Sequence, residues 1–117
     1  MLTILLFGII SSVLEACNQN AADNSCAIVY EHNDCQGASK SIGQGNTRWV
    51  GSWNDMVSSI VVKGNCELDA YEHMDYGGKH REFTGKNSRL KDFRLSGWWA
   101  FTTSTWNDKI SSWKCSC

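Results

Sequence analysis

The chain has 117 residues, 42% hydrophobic and 20% charged, enough for one domain with one modest core and not the composition of a disordered chain. Its net charge is −1 and it has no basic run, which argues against a nucleic-acid partner. Ten glycines, six tryptophans and no proline fit an all-β domain with many turns better than a helical bundle.

Residues 2–10 form an apolar run, followed by small and polar residues up to Ala16. The run is too short to span a bilayer. It reads as the apolar centre of a secretory signal peptide covering 1–16, although no Lys or Arg precedes it. Residues 17–25 then make a polar N-terminal arm, and the ordered domain, 26–117, begins at Cys26.

All six cysteines (Cys17, Cys26, Cys35, Cys66, Cys115, Cys117) follow the expected cut. An even number in a short exported chain implies disulfides, in one of fifteen pairings that sequence alone leaves open. Zinc is disfavoured, because no C-x2-C pair exists and the histidines lack zinc-finger spacing. Cys115 and Cys117 point to one face of a strand and are expected to bond to separate partners. Cys17 is expected to tie the arm to the domain.

Two repeated units, 26–65 and 66–117, organise the rest. Residues 30–37 read YEHNDCQG and residues 71–78 read YEHMDYGG, an offset of 41 with five of eight positions identical. Residues 53–59, WNDMVSS, recur as residues 106–112, WNDKISS, at an offset of 53. The second unit therefore carries 12 extra residues, within 86–105. Each unit has one grammar: a short strand ending in Tyr, a turn closing on Gly, a polar strand, a loop, the WNDxxSS arch and a last apolar strand. Strands are expected over 27–30, 59–62, 68–71 and 110–113, spaced as in a sandwich or barrel. The best helical candidate is a single turn over 88–94, capped by Ser88. Units this small pair to bury one shared core.

The arch has its own chemistry. Calcium takes six to eight oxygen ligands of mixed type. Asn-Asp-x-x-Ser supplies an amide, a carboxylate, backbone carbonyls and a hydroxyl on one tight loop.

Tyr30, Gly37 and Ser59, repeated as Tyr71, Gly78 and Ser112, resemble the aromatic-x6-Gly and late-Ser signature of the βγ-crystallin Greek key motif. The likeness spans 26–117. It implies an all-β sandwich of two four-stranded Greek key motifs, in which Gly allows a folded-over hairpin, Ser holds that hairpin and the aromatic covers it. A second aromatic two residues before the Gly is usual in the family. Tyr76 fills that place, whereas the first unit has Cys35, whose disulfide is expected to replace the lost packing. The resemblance also implies up to two Ca2+ ions. Residues 54–59 and 107–112 match the family's N/D-N/D-x-x-S/T-S calcium motif. The implied ligand set is the Met56 and Lys109 carbonyls, the Ser58 and Ser111 hydroxyls, Asn54, Asp55, Asn107 and Asp108 at the first two positions, and Glu31 and Glu72 from the hairpin of the opposite unit. Ser59 and Ser112 are then structural.

His32 and His73 read as solvated turn residues inherited by duplication, and His80 as a strand surface residue. No G-x-S-x-G elbow and no isolated carboxylate pair is present, so an enzyme is not expected. Trp98, Trp99 and Phe101 either fill core beneath the long loop or form an exposed patch for a membrane or protein partner.

Cys17, Cys26, Cys35, the NCEL segment at 65–68, the SRLKDFR segment at 88–94 and the closing CSC also resemble the syncollin family. That likeness implies the lumen of secretory granules, association with their membrane, exocytosis and membrane perforation. Three functions follow as expectations. The favoured one is a secreted, disulfide-bonded, calcium-binding βγ-crystallin domain with a structural or granule role. The alternatives are a syncollin-like membrane-associated or membrane-perforating protein, and a secreted protease inhibitor or antimicrobial toxin.

Overall fold

The computed structural model describes residues 17–18, 24–87, 89–93 and 104–117. The signal peptide, Ser88 and the Trp98, Trp99 and Phe101 cluster lie outside the described residues.

The described residues form eight strands in order: β1 (Ala27–His32), β2 (Gln36–Ile42), β3 (Gly45–Thr47), β4 (Ser59–Val62), β5 (Glu67–His73), β6 (Gly77–Phe83), β7 (Lys86–Asn87) and β8 (Ser112–Ser116). They make two antiparallel four-stranded sheets, ordered β2-β1-β4-β7 and β3-β8-β5-β6. Each sheet takes three strands from one unit and one from the other. β3 crosses to pair with β8, and β7 crosses to pair with β4. This exchange builds one core from two units that share it.

Alternation sets which face is buried. In the first sheet Ala27, Val29, Ile60 and Val62 turn inward. They meet Leu68, Ala70, Phe83, Trp113 and Cys115 of the second sheet. Trp106, Ile110, Val57 and Leu90 from the loops complete this core. The SIVV run of β4 does not alternate because both of its faces are covered. Val61 packs outward with Ile28 and Cys35, and Cys17 and Tyr30 roof that second cluster. The outer strands β2 and β6 are exposed and polar except at their last residues, which suits the edge of a sheet.

Three disulfides close the molecule: Cys17–Cys35, Cys26–Cys115 and Cys66–Cys117. Cys115 and Cys117 do take separate partners, and Cys17 ties the arm to the first hairpin. Disulfides of this number belong to a chain that folds in an oxidising compartment such as the secretory pathway.

Some local expectations shift. β1 and β5 run past their tyrosines to His32 and His73, with a register irregularity between the two residues in each case. The last strand starts at Ser112 rather than at residue 110. Ile110 and Ser111 belong to the arch, where their carbonyls accept the amides of Asp55 (3.1 Å) and Val50 (3.1 Å). The expected helical turn shrinks to a 3-10 turn at Leu90–Asp92, and the residue before it, Arg89, is extended and gives no side-chain cap.

Candidate metal centre

The site begins with the hairpins. Between β1 and β2 the chain folds over a 3-10 turn at Asn33–Cys35, in which Asp34 and Cys35 both take positive φ, 59° and 58°. Asp75 and Tyr76 repeat this between β5 and β6, at 56° and 60°. Such turns leave backbone groups to be satisfied. Ser59 Oγ accepts the Cys35 amide at 3.0 Å and donates to the His32 carbonyl at 2.7 Å. Ser112 Oγ accepts the Tyr76 amide at 3.1 Å and donates to the His73 carbonyl at 2.6 Å. Both serines are fully buried.

The preceding residue of each arch is thereby placed beside its own hairpin. The Ser58 amide bonds to the Tyr30 carbonyl and the Ser111 amide to the Tyr71 carbonyl, both at 2.9 Å. The two arches also brace each other, since the Asp55 amide reaches the Ile110 carbonyl (3.1 Å) and the Asp108 amide the Val57 carbonyl (3.0 Å). Asp55 and Asp108 hold left-handed backbone, with φ of 57° and 56°. That conformation is tolerated best by Gly, Asn and Asp among ordinary residues.

Two oxygen clusters result. In one, Asn54, Asp55, Glu72, Lys109 and Ser111 line a single cavity of about 430 Å³, together with Trp49, His73 and Met74. Ser111 Oγ donates to Asn54 Oδ1 at 2.5 Å. In the other, Ser58 Oγ donates to Asp108 Oδ1 at 3.1 Å, and Asn107 Nδ2 donates to Asp108 Oδ2 at 3.2 Å. The Met56 and Lys109 carbonyls accept none of the backbone bonds found in the described loops. Glu31 and Glu72 lie against His32 (3.1 Å) and His73 (3.3 Å).

One assignment changes. The resemblance drew the glutamate from the opposite unit, but Glu72 shares its cavity with Lys109 and Ser111 of its own unit. The residues that cross over are Asn54 and Asp55. The reason is the buried serine, which pins each arch to its own hairpin and leaves the arch tips to reach across.

The donor set suits a hard cation. Amide, carboxylate and hydroxyl side chains line the cavity beside the single imidazole of His73, and no cysteine is free to offer a thiolate. The Oδ1 atom of Asn107 is buried with no hydrogen-bond partner, as a ligand oxygen awaiting an ion would be. The sulfurs of Cys26, Cys66 and Cys117 also lie together, but each is in a disulfide and has no thiolate to offer.

The histidines do more than the repeat suggested. A Cβ on Gly37 would lie 2.6 Å from Cδ2 of His32, and one on Gly78 2.5 Å from Cδ2 of His73. Each imidazole therefore packs beneath the glycine, although its side chain stays 65% exposed. Trp49 and Met74, which no period or motif marks, are half exposed on the rim of the cavity that holds Asn54, Glu72 and Ser111. Arg48 fixes that rim by donating to Asp75 Oδ1 at 2.5 Å while its carbonyl accepts the Asp75 amide. Asp75 holds the guanidinium pKa above its ordinary value, first by the hydrogen bond and then by charge.

A sequence model of the syncollin family matches residues 12–117. The chain belongs to the syncollin family. Syncollin of Rattus norvegicus is 32% identical over 102 residues, covering 80% of this chain and 72% of the rat protein. Syncollin of Homo sapiens is 29% identical over the same length and shares. In fold, this syncollin-family chain is similar to a βγ-crystallin domain from Flavobacterium johnsoniae. The TM-score is 0.63 at 23% identity, with 80% of this chain and 96% of that one covered. The family is thus carried here on a βγ-crystallin fold.

Proposed function

We propose that this chain is a secreted calcium-binding member of the family. In this reading two ions staple its two units together, and its role is structural, in a granule lumen or outside the cell, rather than catalytic. The observation that carries the reading is the pair of bonds across the units, Ser58 to Asp108 and Ser111 to Asn54. Each brings a motif hydroxyl of one arch onto a motif oxygen of the other. When bound, the ion would supply positive charge that both arches coordinate. Ser58 and Ser111 would turn their lone pairs to it, and Asn54, Asp55, Asn107 and Asp108 would hold the crossing side. Glu31 and Glu72 would add charge from the hairpins, and the Met56 and Lys109 carbonyls would complete the set.

Because the ligands are split between units, the ion binds the folded chain and not the unfolded one. At a hundredfold excess over Kd this stabilises the fold by about 2.7 kcal/mol per site. In a domain of this size that is a rise of more than about 10 °C in Tm. Calcium should raise the Tm of the oxidised protein and EDTA should reverse it. The double variants Ser58→Arg with Ser111→Arg, and Ser58→Ala with Ser111→Ala, should lose most of the shift. A full shift in variants that still fold would overturn the assignment.

A further inference from the structure

The duplicated hairpins differ where it matters for an ion. Three residues after the tyrosine, the second unit has Met74 and the first has Asn33. Met74 lines the cavity that holds Asn54, Glu72, Lys109 and Ser111. When the two units are exchanged, the corresponding positions are Asn33, Asn107, Glu31, Met56 and Ser58. Ser58 and Asn107 both bond Asp108, and the duplication extends this group to Asn33, Glu31 and Met56.

Asn33 Oδ1 and Asn107 Oδ1 are the two buried side-chain polar atoms that lack a hydrogen-bond partner among the described residues. They belong to different units, 74 positions apart in sequence, yet the duplication assigns both to one cluster. A buried amide oxygen without a partner is costly, and native chains rarely keep one without use for it. Amide oxygens are ordinary calcium ligands. The equivalent atoms of the other cluster offer less. Asn54 Oδ1 is taken by Ser111, and the Met74 side chain carries no oxygen. Charge separates the clusters in the same direction. Asp55 and Glu72 share their cavity with Lys109, whereas the repeat puts a neutral Met56 at the position equivalent to Lys109.

We infer that the two cation sites are unequal, that the one built from Glu31, Ser58, Asn107 and Asp108 is the tighter, and that Asn33 is one of its ligands. The inference rests on the calcium reading above. It assigns a binding role to a residue outside the repeated motif, and it makes occupancy sequential as calcium rises.

Calorimetric titration of the oxidised full chain with calcium tests it. The native protein should show two affinities. Asn33→Met, which installs the residue the second unit already tolerates, should weaken the tighter one by about tenfold or more. It should leave the weaker one in place. Met74→Asn should tighten the weaker one. An unchanged tighter constant in Asn33→Met, or two equal sites in the native chain, overturns this inference and leaves calcium binding standing. No binding by the native chain overturns both, so the two failures are distinct.

Discussion

Gly37 and Gly78 carry two constraints at once, positive φ (80° and 73°) and an imidazole in van der Waals reach of where a Cβ would sit. The two can be separated by experiment. Gly78→Ala should cost about 2–3 kcal/mol, combining the left-handed penalty of roughly 1–2 kcal/mol with the clash on His73. His73→Ala alone should cost little, since its side chain is mostly exposed. Made together, the two changes should recover the imidazole part of the clash and retain the backbone penalty and the 2.9 Å approach to Glu72 Oε1, as read by urea unfolding. Complete recovery would show that φ is not limiting. The tyrosines report the same packing. Tyr71 stacks on His80 at 5.4 Å and meets Tyr76 edge-on at 5.5 Å. In the first unit Cys35 stands where Tyr76 would, and its bond to Cys17 lies beside Tyr30. The Cys35 substitution was legible in the repeat, but its partner was not.

Among the elements, β5 and β6 hold an acidic cross-strand cluster. Asp69 faces Glu82 directly, and Glu67 lies on the diagonal. The Glu82 pKa is raised above the usual carboxylate value, first by its hydrogen bond with Glu67, then by the Glu67 charge, with burial and Asp69 adding to it. A carboxyl with a raised folded pKa holds its proton better folded than unfolded. Its contribution therefore favours folding in acid and is lost as pH rises through the raised value. Near neutral pH the like charges oppose the strand pair. Glu82→Gln should raise the urea midpoint at neutral pH and low salt, at unchanged m. The gain should vanish below the carboxylate range, and in about 1 M salt, where the Debye length is near 3 Å. A gain that persists in acid would mean that packing, not charge, is responsible.

Over the whole molecule, Cys26–Cys115 joins the residue just before β1 of one sheet to β8 of the other across 89 residues. Both cysteines are buried in the shared core. Cross-linking so long a loop constrains the unfolded chain by about 4–5 kcal/mol, against about 3 kcal/mol for the 18-residue loop of Cys17–Cys35. That is a large share of the stability of an ordinary domain. Replacing Cys26 and Cys115 by alanine should therefore lower the unfolding free energy more than replacing Cys17 and Cys35, with the remaining disulfides kept oxidised. The reverse order, measured by denaturant unfolding, would show that the arm and its roof over Ile28 and Val61 matter more than loop length.

Residues 30–37 and 71–78, with the two WNDxxSS arches, made the all-β class legible and carried the resemblance that implied the folded hairpins and the structural serines. Those features depend on short-range sterics: a glycine that can take positive φ, a small hydroxyl beside a tight turn, and alternation along a strand. The sequence could not decide which cysteines pair, that β3 and β7 exchange sheets, or that Glu72 keeps to its own arch while Asn54 and Asp55 cross. Nor could it show that the last strand starts at Ser112, after the arch, rather than at residue 110. Each of these is a choice among partners tens of residues apart. It is settled only when both sheets close on one core and the buried serines fix which arch meets which hairpin.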